Sequence, residues 1–188
     1  MANTDTKIRS KRQRAAEAQE RRQQAARREI RTVGDPVLRE QAGTVTVFDD
    51  QLAALARRMI RVMKAAPGVG LAAPQVGVVR RLIVYEAGED GPRTLVNPVI
   101  TWRSEETETC DEGCLSVPDV TVPVERALTV RVEANDLTGS RLTFAAEGME
   151  ARVIQHEVDH LDGILILQRT SRGERARALR ELRESALR

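Results

Sequence analysis

Apolar residues recur along this chain in two different periods, and the switches between them mark its elements. Leu52, Leu55, Ala56, Met59, Ile60 and Met63 follow the i, i+3, i+4, i+7 spacing of a helix with one buried face. Asp49 or Asp50 can cap its start, and Pro67 with Gly68 ends it. Runs of β character follow at 81–86, 94–102, 127–134 and 141–146. The third alternates most cleanly, with Leu128, Val130 and Val132 on one face and Thr129, Arg131 and Glu133 on the other. A turn over 136–139 joins the last two runs as a hairpin. Helical period returns over 149–161 and stops at Gly163, well placed as a C-terminal cap. A final helix over 173–187 carries a modest stripe of Leu179, Leu182 and Ala186. Strands in the middle and helices toward the ends predict an α+β fold, with mostly antiparallel sheets folded around a central helix.

Residues 8–30 fit neither period. They are rich in Ala, Arg, Gln and Glu, without Gly, Pro or an apolar stripe, which reads as an exposed helix or a disordered arm outside the core. Asp35-Pro36 is a turn or helix-start signal, and the core begins near Ile30. With 188 residues the chain suits one domain. Its expected organisation is a basic extension over 1–27, helical or disordered, a main folded domain over 28–171 and a basic helix over 172–188.

Charge sharpens that division. The net charge is only +2, but residues 1–32 carry +6 and residues 172–188 carry +3, leaving −7 on the body between. Basic ends on an acidic body invite a polyanionic partner, although two solvated helices explain the same pattern. Phe48, Tyr85, Trp102 and Phe144 are the only aromatic residues, which argues against a base-stacking surface for single-stranded RNA. No run is apolar over the ~20 residues a membrane span needs, and the polar N-terminus argues against a secretory signal. With two cysteines in C-x-x-x-C spacing, a cytoplasmic setting and a metal role are expected ahead of a disulfide.

The chemistry concentrates in Gln155-His156-Glu157-Val158-Asp159-His160, which holds both histidines of the chain. On a helix His156 and His160 lie one turn apart and can reach one metal ion, while Glu157 is placed to exchange protons with a water there. No later histidine offers a third ligand. Cysteine is the natural replacement, and Cys114 lies in Glu112-Gly113-Cys114-Leu115-Ser116. A third segment, Gly68-Val69-Gly70-Leu71-Ala72-Ala73-Pro74-Gln75, allows close backbone approach and reads as a strand lining a pocket; it lacks the Lys-Ser/Thr of a phosphate loop. Cys110, Cys114, His156 and His160 are also compatible with a closed Cys₂His₂ structural zinc site. A zinc protease and a nucleic-acid-binding arm are the other readings.

In their order, GVGLAAPQ, EGCLS and QHEVDH resemble the three signature motifs of peptide deformylases, with similarity from about Arg28 to Thr170. The resemblance implies a cytoplasmic bacterial hydrolase that removes the formyl group from formyl-methionyl nascent peptides. It implies Cys114, His156 and His160 as ligands of Fe²⁺, for which Zn²⁺, Ni²⁺ or Co²⁺ can substitute. It further implies Glu157 as general base and acid, Gln75 and the Leu115 N–H as oxyanion donors, and Gly70 as a backbone partner of the substrate. Val69, Met149 and Val153 would line the methionine pocket, Arg126 would pair with Glu112, and Cys110 would replace an apolar pocket residue or serve as a small buried hydrophobe. The family's use of its C-terminal helix extends the expected partners to the ribosome, docked through that helix and the basic N-terminal arm, with no membrane involved.

Overall fold

A computed structural model describes residues 2–187 of the chain, with side chains for 13–185 and 187. Four helices, α1 (Ala2–Glu29), α2 (Asp50–Ala65), α3 (Gly148–Leu161) and α4 (Arg172–Ala186), accompany seven strands. The strands are β1 (Gly70–Ala72), β2 (Leu82–Tyr85), β3 (Arg93–Arg103), β4 (Thr107–Cys114), β5 (Val117–Ala127), β6 (Thr129–Asn135) and β7 (Arg141–Glu147). Five of them form an antiparallel sheet in the order β1-β2-β3-β6-β7, and β4 pairs with β5 as a separate ribbon. The fold is α+β.

Helix α3 is central because its apolar residues face two layers at once. Ala151, Val153, Ile154, Val158 and Leu161 are buried with Ile83, Val130 and Val132 of the large sheet, and the helix also packs on β5. Helix α2 is the amphipathic helix that its stripe predicts. The Asp49 carboxylate accepts from the Leu52 N–H at 2.9 Å, and Leu52, Ala56, Met59 and Met63 are buried. Asp35 likewise caps a 3₁₀ turn over Pro36–Arg39, accepting from Val37 N–H.

Two elements differ from the sequence-based expectation. Residues 107–127 form the most extensively paired hairpin of the described residues, although no strand is predicted over 107–126. Val120, Val122 and Val124 alternate inward along β5, and the ribbon tolerates Pro118 and Pro123 because β5 pairs on one side only. At the N-terminus, the core begins near Ile30 as expected but also takes in the last turn of α1: Ala26 is buried with Ile30 against Met59 and Val62 of α2, and Arg58 donates to Glu29 at 2.8 Å. Two apolar residues suffice for this docking, too few to make a stripe. Helix α4 is also more than a charged tail, because Ala178, Leu179 and Leu182 pack over Val120 and Val122.

Candidate metal centre

Three chemical groups meet where β4 ends against α3. His156 and His160 share one face of α3, their ring centroids 5.1 Å apart. Cys114 arrives from the ribbon, where the β4–β5 register slips after Gly113. Its Sγ lies 3.2 Å from His160 Nε2, and ligand atoms of Cys114, His156 and His160 all fall within 4.8 Å of one another. His156 Nδ1 sits 3.0 Å from a Glu112 carboxylate oxygen, which leaves Nε2 for the centre and fixes the ring. Arg126 in turn grips Glu112 with two bonds of 3.0 Å and also donates to Asp159. Asp159 takes two more bonds from Arg169, so charge alternates from the histidine ring out to the surface.

The electrostatics suit a cation. Burial by itself would raise the Cys114 thiol, but His160 and His156 beside it hold it well below the ordinary range. Burial would also raise Glu112, yet hydrogen bonds from His156 and Arg126 bring it down to about 2. Glu157 is different: burial pushes it up to about 7 against the opposing pull of His156 and His160. One Glu157 oxygen is buried without a hydrogen-bond partner among the described residues. One thiolate and two imidazoles at this spacing fit a single divalent transition metal with a coordination position left open. Cys110 stands outside the cluster, half-buried on β4 opposite Val124, with its thiol pushed up by a hydrogen bond to Glu108. The closed four-ligand zinc site therefore lacks its second sulfur.

A cleft of about 520 Å³ opens onto this cluster. Gly70, Gln75, Leu115, Val69, Met149 and Val153 all line it; Val69 and Met149 are exposed, whereas Val153 is buried. Cys110 is not among the lining residues. The two glycines of the first motif serve close approach. A Cβ on Gly70 would collide with the Glu157 carboxylate, and one on Gly68 would lie 2.7 Å from Leu115 Cδ1. Gln75 is locked at both ends: its Oε1 accepts from Ala72 N–H at 2.8 Å and its Nε2 donates to Ser116 Oγ at 3.1 Å. Nε2 also lies 3.8 Å from Cys114 Sγ.

Ser116, Arg152 and Arg169 carry little mark in the sequence. Ser116, fully buried, orients Gln75, and its place beside Cys114 was the only available signal. Arg152, on α3, donates to Glu112 and to the carbonyls of Val124 and Glu108. A lone arginine between the buried Ala151 and Val153 was its signal.

A Cys-His-His cluster with a buried glutamate beside it, opening on a cleft edged by a strand, defines a mononuclear metallohydrolase. Residues 27–176 match the polypeptide deformylase family, and the chain belongs to it. It is 54% identical over 142 residues to the peptide deformylase of Dictyoglomus thermophilum, covering 76% of this chain and 92% of that protein. Peptide deformylase 1 of Corynebacterium glutamicum is 47% identical over 162 residues, covering 85% and 96%. Among solved structures, the Thermotoga maritima peptide deformylase is 46% identical with a TM-score of 0.74, covering 76% of this chain and 96% of that one. A Synechococcus elongatus peptide deformylase in complex with actinonin is 41% identical with a TM-score of 0.78, covering 81% and 85%. The family's function is removal of the N-terminal formyl group from new polypeptides.

Proposed function

We propose that this chain deformylates formyl-methionyl nascent peptides with Cys114, His156 and His160 as ligands of one ferrous ion and Glu157 as the proton carrier. The meeting of those three donor atoms beside a buried, unpaired Glu157 oxygen carries this reading. When bound, the ion supplies Lewis-acid polarisation and a more acidic water. Glu157 takes a proton from the attacking water and delivers it to the methionine nitrogen as the C–N bond breaks, releasing formate and a free amine. Gln75 Nε2 and the Leu115 N–H donate to the oxygen that becomes negative as the formyl carbon turns tetrahedral. Gly70, on the edge strand β1, offers its backbone to an extended peptide. Val69, Met149 and Val153 receive the methionine side chain. Zn²⁺, Ni²⁺ and Co²⁺ substitute for Fe²⁺ at this donor set, zinc the more tightly.

X-ray absorption at the metal edge tests the ligand set. One sulfur and two imidazoles per metal support it, and two sulfurs refute it.

The same proposal places the protein in the bacterial cytoplasm, meeting nascent chains at the ribosome. No described helix is long and apolar enough to cross a membrane. Arg175, Arg180 and Arg183 are exposed on α4 and suit phosphate contacts. Arg177 does not, being tied to Glu174, Glu181 and the Thr121 carbonyl. Because α4 covers the ribbon, the docking test is charge reversal at Arg175, Arg180 and Arg183 together. Weaker low-salt co-sedimentation with ribosomes supports the role, and unchanged sedimentation removes it.

A further inference from the structure

The catalytic cleft does not end at the methionine pocket. Beyond Pro67 lies a second groove of about 640 Å³ between α1 and α2, and Pro67 lines both. On either side of that junction the linings pass to adjacent residues, Ala66 and Arg27 on the cleft side, Ala65 and Ala26 on the other. The family match begins at residue 27, so the α1 wall of this groove lies almost wholly outside the matched region.

The direction in which a substrate leaves the centre follows from burial. Its formyl end must lie by Glu157, which packs against Gly70. Past Gly70 toward Gln75 the chain is buried at every residue, whereas Val69 and Pro67 are exposed in the other direction. A peptide whose formyl end lies at Gly70 therefore leaves the end of β1 past Val69 and Gly68 toward Pro67. With a bend at Val69 and a turn over Ala66–Pro67, the path to Pro67 is at most three extended residues, ~10–11 Å, which puts Pro67 within reach of the fourth substrate residue. From the junction at Ala26 the α1 wall runs back to Gln19, about 10 Å at ~1.5 Å per helical residue, room for about three more.

The groove walls carry Arg22, Arg58, Arg61 and Lys64. Arg58 and Lys64 are paired, to Glu29 and Glu86. Arg22 and Arg61, and Arg27 at the junction, take part in no ion pair among the described residues. We propose that the α1–α2 groove is an extended subsite that takes substrate residues four to seven and favours acidic side chains there. The inference rests on the deformylase reading. Continuity with the cleft makes the substrate chain the occupant, ahead of a separate RNA.

The test compares kcat/KM for formyl-Met-Ala-Ser with that for three formyl-Met octapeptides bearing Glu, Ala or Lys at positions four to seven. In low salt the Glu peptide is expected to exceed the Lys peptide about five- to tenfold, since exposed pairs contribute modestly and screen readily. The gap should close in 0.5 M salt and in the Arg22→Glu/Arg61→Glu double variant, whose melting temperature and tripeptide turnover report an intact fold. Equal rates for the three octapeptides, with the tripeptide hydrolysed, overturn the subsite and leave the deformylase reading standing. No hydrolysis of the tripeptide by metal-loaded protein overturns both. An RNA oligonucleotide that binds through Arg22 and Arg61 while peptide charge has no effect makes the groove a nucleic-acid site and overturns the proposal.

Discussion

Replacing Gly70 by alanine drives a methyl group into the carboxylate that is proposed to move the proton. The new Cβ would touch a Glu157 oxygen and lie 2.9 Å from Cδ and 3.0 Å from Cγ. Carbon atoms in contact keep ~3.5–4.0 Å apart, so something must move by roughly 0.5–1 Å. The strand is held, with Gly70 opposite Tyr85 and Ala72 opposite Ile83 in the sheet. Helix α3 is held by the buried Ile154, Val158 and Leu161. The Glu157 side chain gives way, because one of its oxygens has no hydrogen bond among the described residues to retain it. A catalytic group misplaced by ~1 Å costs on the order of 10² in rate. Overpacking of this kind costs about 1–3 kcal/mol, or roughly 2–12 °C in Tm for a chain of this size. The ligands Cys114, His156 and His160 are untouched, so metal content should match wild type. Steady-state kinetics on a formyl-Met tripeptide, elemental analysis and a thermal melt measure all three quantities. A kcat within twofold of wild type would show that Glu157 need not occupy this position.

Gln75→Ala should lower kcat about 10²- to 10³-fold with little change in KM, because its donor matters most as the oxyanion forms; an effect confined to KM counts against that role. Cys114→Ser should lose metal on dialysis and Cys110→Ser should retain it, as elemental analysis reads directly. Arg126→Met leaves the buried Glu112 and Asp159 carboxylates short of their partner. It should destabilise by about 3–5 kcal/mol, seen as a lower urea midpoint, and an unchanged midpoint would deny the network a structural role.

What the chain reveals before its structure is known depends on how local the signal is. Helices α2 and α3 are legible because stripe, cap and stop fall within one segment, and both histidines lie one turn apart with Glu157 between them. The β4–β5 ribbon is not legible in the same way. Pro118 and Pro123 interrupt β5, and Thr107–Cys114 is polar because much of that strand faces solvent. Only the pairing with β4 makes sense of Val120, Val122 and Val124. The Arg126–Glu112 pair is expected from the family resemblance, whereas the bond from Arg126 to Asp159 joins residues 33 positions apart. Arg152 reaches Glu112 across forty positions. The docking of α1 rests on Ala26 and Ile30, which no periodicity marks, and the groove it makes with α2 exists only once the two helices meet.

The proposed chemistry has this chain release formate through Glu157 beside a metal held by Cys114, His156 and His160. Formate released from formyl-Met-Ala-Ser, by wild type and Glu157→Gln loaded anaerobically with iron to equal content, tests it most directly. Glu157 is not a ligand here, so the variant should hold its metal and lose nearly all turnover, on the order of 10²- to 10⁴-fold. Formate release by the variant near the wild-type rate, or none by the iron-loaded wild type, would contradict the account.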